Sequence, residues 1–587
     1  MMYKCRTFIG LLAASLLAGS TAYAAGTDSS AVAKPKESHD FQISKSLDIF
    51  NSVFKELDLF YVDTIKPEET VKYGIDAMLA TADPYTTYFP ESEMKDLKFM
   101  TTGSYAGVGA VISAKDKKIY ITEIYEDKPA YKAGLRAGDV FVSVGGVATD
   151  GKTTSDVSQM LRGEPLTTVK VVVDRPGKGT VKVDVVREKI VIDPVVYYGM
   201  LNSSVGFINL TQFTDQSFSS FHNAFVALKA KGMKSLVIDL RNNPGGLLSE
   251  ATRILNMFVP KGSKLVYTKG KDDKWNTTYN ATEAPVDTVM PIAVLVNRNS
   301  ASAAEIVSGT LQDLDRAIVI GERTYGKGLV QTTRDLPYGG SLKVTISKYY
   351  IPSGRCIQAI DYAKRDKDGF VVRIPDSLTH EFKTLHGRIV RDGCGVNPDV
   401  FVKTEKNAPI SFYLYSKNVI FDYVTRYQQL HRSIPTEADV KLTDADYADF
   451  KKFVKESGFT YKTKSQETLE KLRKLAEEDG CLEKSKAEFD ALAARISPDL
   501  DADLEANRAD ISKYICFEIA RRYFYQRGVV QEQLKDDSGV NKALEILLDH
   551  KSYVGLLTKE KVGDEAADKE EQKAEEDDMT EEEGEAE

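Results

Sequence analysis

The chain has 587 residues, 42% hydrophobic and 28% charged, with one tryptophan and a formal net charge of −9. That length exceeds a single hydrophobic core and implies three or four domains of ordinary globular composition. No basic stripe appears, which leaves nucleic-acid binding without support.

In chain order, Lys4 and Arg6 precede an apolar stretch, 8–18, and then Ala22-Tyr23-Ala24. This predicts a secretory signal over residues 1–24, cut after Ala24. The stretch is too short to span a bilayer and no later segment approaches eighteen apolar residues. Cys5 lies inside the signal, so no lipid-attachment cysteine sits at the cut. The expectation is an exported, periplasmic protein with no integral membrane segment. Residues 25–99 form a helical region: Leu47, Phe50, Phe54, Leu57 and Tyr61 follow Ile43 as one helical stripe, and a second helix covers 67–82. Within residues 100–190, Tyr105 to Ile112 reads as a glycine loop leading into a strand, and a further strand covers 140–144. From 191 to 405 strands and helices alternate, with apolar strands at 205–210, 236–240 and 292–296 and helices at 221–231 and 247–258. Residues 406–560 are helix-rich; Ile515, Ile519 and Tyr523 share a stripe that Gly528 caps. In 561–587, from Asp564 onward, fourteen acidic residues face two lysines, which predicts a disordered tail.

Chemistry concentrates in two strings, Ser300-Ala301-Ser302-Ala303-Ala304-Glu305 and Tyr325-Gly326-Lys327-Gly328-Leu329-Val330-Gln331. Ser302 follows the strand at 292–296 and a polar turn, and it opens a helix. A serine there is presented outward, with the Ala303 N–H at a helix N-terminus that favours negative charge. A serine hydroxyl needs a base. Lysine serves when burial lowers its pKa until it is neutral near working pH. Ser302 and Lys327 read as a Ser/Lys dyad. Of the six histidines, only His222 falls near this region, and none has the context of a triad base. There is no zinc-protease string, and no metal or organic cofactor is implied. Gly321 to Lys327 matches the start of a phosphate-binding loop, but Gly328 stands where Ser or Thr should hold magnesium, and a strand follows instead of a helix.

These strings resemble the C-terminal processing peptidases, or tail-specific proteases. The resemblance extends to Asp83-Pro84-Tyr85-Thr86-Thr87-Tyr88-Phe89, to Asp239-Leu240-Arg241-Asn242-Asn243-Pro244-Gly245-Gly246, to Tyr350-Ile351-Pro352-Ser353-Gly354-Arg355 and to Asn397-Pro398-Asp399, in the family's order. It implies an α/β multidomain chain: a crotonase-like α/β protease core, 191–405, to which residues ahead of 100 add, with an inserted PDZ domain at 100–190 and helical N- and C-terminal regions. It implies Gln331 as third catalytic member, its amide orienting the lysine ammonium. The Gly245 N–H, free between strand and helix, pairs with the Ala303 N–H as an oxyanion hole. In the PDZ domain, Gly107, Val108 and Gly109 would capture a peptide carboxylate and Arg162 would sense it. Glu305 reads as a first-turn helix acid.

Two family motifs flank an insertion bracketed by Cys356 and Cys394. A disulfide between them and four unpaired thiols at 356, 394, 481 and 516 stand as equal alternatives. The N-terminal helices resemble a dimerisation element of the family, implying a homodimer or higher oligomer; capping the core of their own chain is the equal alternative. The implied function is a serine endopeptidase that holds the free C-termini of unfolded or extended polypeptides and cuts upstream. Its rivals are a PDZ-bearing tail-binding adaptor or chaperone on an inactive core, in which Ser302 or Lys327 is dispensable, and a crotonase-like acyl-transforming enzyme, which needs an acyl-CoA pocket and gives no reason for a signal or a PDZ domain.

Overall fold

The computed structural model describes residues 38–365, 371–404 and 407–558; the expected signal and the acidic tail lie outside them. The described chain divides into two compact units after Gly74. In the first, Ser38 Oγ accepts from Phe41 N (3.2 Å) and starts the helix His39–Phe60. The predicted apolar stripe is there, but none of its residues is buried.

The second unit is built on a six-stranded sheet: Val195–Met200, Val205–Leu210, Ser235–Asp239, Ile292–Val296, Ile318–Gly321 and Val400–Phe401. The first pair is antiparallel and every later pair parallel. Parallel strands are covered on both faces, so they read as unbroken apolar runs; all six residues of Val205–Leu210 are buried. Side chains alternate between the faces. Ile208, Ile238, Val294 and Val319 pack against Ser217–Ala230, Leu248–Asn256 and Ala303–Asp313, through Phe221, Phe225, Ile254 and Val307. Phe207, Val237, Leu295 and Ile320 pack against Val540, Ala543 and Ile546 of Ser538–Leu548 and Tyr553 of His550–Leu557. These two helices of the C-terminal region therefore close the far face of the central sheet.

A second sheet centres on the long strand Ser341–Tyr350, which pairs antiparallel with Thr87–Phe89, Lys264–Gly270 and Leu329–Asp335. Residues ahead of 100 thus supply a strand beside the core. Between them, Ala110–Lys115, Lys118–Ile124, Val140–Val144, Thr168–Arg175 and Gly179–Val186 form an antiparallel sheet over the helix Thr154–Leu161. Its buried Asp139 receives Arg175 Nε and Nη2, both at 2.7 Å.

One expectation is corrected, and of the two cysteine alternatives the unpaired thiols are the one observed. Gly528 does not cap its helix: Arg508–Gln533 runs through it, with non-helical geometry at Tyr525. A Cβ at 528 would fall 2.4 Å from that of Phe524, so this glycine serves a close approach. The Cys356–Cys394 disulfide is not formed, and all four described cysteines are thiols. The two segments are neighbours, Gly393 N donating to Cys356 O (2.9 Å), but Cys394 Sγ turns to the carbonyls of Arg391 and Gly395 (both 3.9 Å). Within the insertion, Arg388 forms buried ion pairs with Asp315 (2.6 Å) and Asp399, and just ahead of it Arg355 pairs with Asp313 (2.8 Å). Among the described residues, no helix is long and apolar enough to cross a membrane.

Candidate active site

The strand Ile292–Val296 ends in a turn whose Ser300 hydroxyl, fully buried, donates to Leu240 O (2.8 Å). Ala301 N donates to Asn243 O (2.9 Å), joining this turn to the loop after Ser235–Asp239. Ser302 follows at φ 56°, ψ −114°. That conformation costs on the order of 1–3 kcal/mol for a non-glycine residue and persists only where its surroundings over-determine it. The helix Ala303–Asp313 then runs entirely buried.

Glu305 supplies much of that determination. Its carboxylate has no exposed surface. Oε2 accepts from the N–H of Ser302 (2.8 Å) and of Lys327 (2.9 Å). Oε1 accepts from Thr324 Oγ1 (2.5 Å) and Gly326 N (2.7 Å). Burial pushes its pKa up, against the four donors. One side chain therefore ties the Ser302 turn to the Lys327 loop. Expected only as a first-turn acid, Glu305 has three of its four donors nineteen or more residues downstream, where helix-local spacing carries no signal.

The Lys327 side chain is largely withdrawn from water, and its pKa falls to about 8: desolvation leads and the Lys343 charge adds, against Asp83 and Glu305. Its Nζ lies 3.9 Å from the Tyr85 ring centroid. Tyr85 comes from the string 83–89, where Asp83 Oδ1 accepts from Tyr85 N (2.9 Å) and Thr86 N (2.8 Å). Thr86 Oγ1 accepts from Thr345 N (3.2 Å). Gln331, on the predicted strand, donates its amide to Thr345 Oγ1 at 3.1 Å, not to the lysine; the amide oxygen is the atom suited to an ammonium.

A cleft of about 550 Å³ brings together Ser302, Ala303, Lys327, Gln331 and Gly245, with Lys343 and Tyr349 in its wall and no histidine in its lining. Gly245 adopts φ 93°, and a Cβ there would fall 2.7 Å from Ser302 Cβ and 2.8 Å from Ala303 N, so only glycine fits. Its N–H, however, is not free. It donates to Asn243 Oδ1 (2.9 Å), and the buried Asn243 is held in turn by Leu210 O (2.7 Å). An asparagine two residues upstream satisfies an amide that the turn would otherwise leave open.

A second cleft, about 380 Å³, lies on the antiparallel domain between Ala110–Lys115 and Thr154–Leu161. Gly107, Val108 and Arg162 line it with Tyr105, Ile112 and Leu161. Arg162 sits 5.7 Å from the Tyr105 ring centroid. Gly109 is not in the lining: at φ 76° it turns against Lys128 and shapes the loop from behind.

Residues 204–364 match peptidase family S41, 120–175 match the PDZ domain, and 410–547 match the probable PDZ-protease C-terminal helical domain. The chain is 33% identical over 321 residues to a carboxy-terminal-processing protease of Bartonella bacilliformis, covering 54% of this chain and 73% of that one. It is 36% identical over 315 residues to a probable CtpA-like serine protease of Staphylococcus aureus, covering 53% and 62%. Among solved structures, the photosystem II D1 C-terminal processing protease is 30% identical, covering 60% of this chain and 92% of its own, with a TM-score of 0.34. A serine at the head of a buried helix, a lysine loop tied to it and a PDZ domain fall inside these matched segments, and the chain belongs to the carboxy-terminal-processing proteases of peptidase family S41, a serine-type peptidase with a PDZ domain and a helical C-terminal region.

Proposed function

We propose that the chain is an endopeptidase that holds the free C-terminal tail of an unfolded or extended polypeptide on its PDZ domain and cleaves upstream with Ser302 and Lys327. The observation that carries this reading is the single cleft gathering Ser302, Ala303, Lys327, Gln331 and Gly245. Neutral Lys327 takes the hydroxyl proton as Ser302 attacks the scissile carbonyl; the ammonium returns a proton to the leaving amine, and water hydrolyses the acyl-enzyme. The Gln331 amide oxygen orients the ammonium. The Ala303 N–H stabilises the oxyanion, and the Gly245 N–H joins it on exchanging Asn243 Oδ1 for the substrate oxygen. The serine's strained turn keeps Oγ presented throughout. We further propose a crotonase-like fold for the core, action after export, and self-assembly through the exposed stripe of His39–Phe60.

Tail selection is tested by cleavage of matched polypeptides with free and amidated C-termini. The groove is lined by Gly107 and Val108 of the glycine loop and by Arg162 over Tyr105, beside Ile112 and Leu161. A carboxylate there gains charge-assisted hydrogen bonds that an amide lacks. Amidation should raise KM about tenfold or more, with kcat on short peptides too small to reach the groove unchanged. Equal cleavage of both forms abandons tail selection and leaves the dyad standing.

A further inference from the structure

The Ser302 turn and the Lys327 loop leave the ends of different strands, Ile292–Val296 and Ile318–Gly321, so tertiary contacts must set their spacing. Glu305 holds the two residues by their N–H groups. The two carbonyls are held by another side chain. Tyr349, near the end of Ser341–Tyr350, is 1% exposed. Its hydroxyl lies 2.7 Å from Lys327 O and 3.1 Å from Ser302 O. Its own N–H donates to Gly328 O (2.9 Å), fixing the strand against the same loop. A phenol has one proton, which two acceptors at these distances share in a three-centre bond. Burial holds the phenol pKa well above its ordinary value, so the donor persists across the working pH range. Although Tyr349 stands in the cleft wall, its oxygen is committed to the main chain of the two reacting residues.

Building on the Ser302–Lys327 reading, we propose that Tyr349 is a positioning residue for the peptidase reaction: its hydroxyl sets the spacing of serine and lysine by bonding both their carbonyls. Glu305 and Tyr349 then grip the same two residues by opposite backbone groups. Proton transfer from Ser302 Oγ to Lys327 Nζ needs side-chain rotation only, because neither backbone moves. Without the hydroxyl, both carbonyls lose their shared donor while the ring still fills its place.

The test is Tyr349→Phe, which removes one oxygen. Misplacement of reacting groups by about 1 Å can cost about a hundredfold. The expected result is a fall in kcat of about tenfold or more, with KM and the affinity of a free-tail peptide for the PDZ domain within about twofold. Phosphonylation of Ser302 by a fluorophosphonate should slow in parallel. Tyr423→Phe is the matched control: that buried hydroxyl donates to Asp446 O (2.8 Å) far from the cleft, and its loss should leave kcat unchanged. Tyr349→4-aminophenylalanine keeps a donor at the same position and should recover most of the lost rate; it also serves if Tyr349→Phe fails to fold. A Tyr349→Phe kcat within twofold of the parent overturns the proposal. So does a joint shift of kcat, KM and peptide affinity, or a folded 4-aminophenylalanine variant that stays inactive. Activity retained by Ser302→Ala would instead sink the dyad reading on which the proposal rests, so the two failures are separable.

Discussion

Lys327→Ala should lower kcat/KM for an unfolded polypeptide by about a thousandfold or more, the range of a lost general base. With the parent enzyme, kcat/KM should rise tenfold per pH unit from about pH 6, then level off above the lysine pKa of about 8. The sign follows from the role: only neutral lysine accepts a proton, so activity is lost as pH falls through that value. Two neighbours should move the limb in opposite directions. Lys343→Met removes a positive charge that depresses the Lys327 pKa and should shift the limb to higher pH; Asp83→Asn removes a negative charge that raises it and should shift the limb lower. A rate flat between pH 6 and 9, or Lys327→Ala within tenfold of the parent, would remove lysine as the base.

Glu305→Ala should abolish measurable turnover and lower the thermal midpoint by several degrees. Its removal strands the N–H groups of Ser302, Gly326 and Lys327 and the Thr324 hydroxyl in a site closed to water. Unsatisfied buried groups cost about 1–3 kcal/mol each, partly offset by the relieved desolvation of the carboxylate. Loss of the tie also frees Ser302 from its positive φ, and in the proposed mechanism the serine is then no longer held for attack. Glu305→Gln is the sharper variant. Each carboxylate oxygen accepts twice, so an amide nitrogen on either side meets a backbone N–H donor. Turnover of Glu305→Gln should fall about a hundredfold with the fold retained, read by steady-state kinetics beside circular dichroism. Parent-like kinetics in Glu305→Gln would show that the four bonds do not position the dyad.

Much of the core was legible because burial on both faces leaves a direct mark. The runs 205–210 and 292–296 coincide with strands, and the shift at 236–240 is one residue. The strand after Lys327, which removed the phosphate-loop reading, is Leu329–Asp335. What stayed hidden depended on partners distant in sequence. An amphipathic helix shows that it packs but not on what, so nothing in Ser538–Leu548 marks it as the cover for Val237 and Leu295. Glu305 looked like a helix acid because three of its donors lie in the lysine loop. The Gly245 N–H looked free because its acceptor is a side chain two residues away. Tyr349 sits beside a recognised motif, yet its two acceptors lie 22 and 47 residues away. Sequence left a Cys356–Cys394 disulfide and unpaired thiols open; the thiols are unpaired, and Arg388 ties the insertion to Asp315 through a buried ion pair.

The central claim is that Ser302 is the nucleophile of a peptidase, and fragment analysis tests it most directly. The purified chain and its Ser302→Ala form are incubated, at pH 8.5, with an unfolded polypeptide bearing a free C-terminus, and the products are resolved by mass spectrometry. The account predicts internal cleavage by the parent and a rate lower by about a thousandfold or more for Ser302→Ala, with the PDZ domain of both proteins binding the tail equally. Cleavage by Ser302→Ala within tenfold of the parent, or no cleavage by a folded, tail-binding parent, would contradict it.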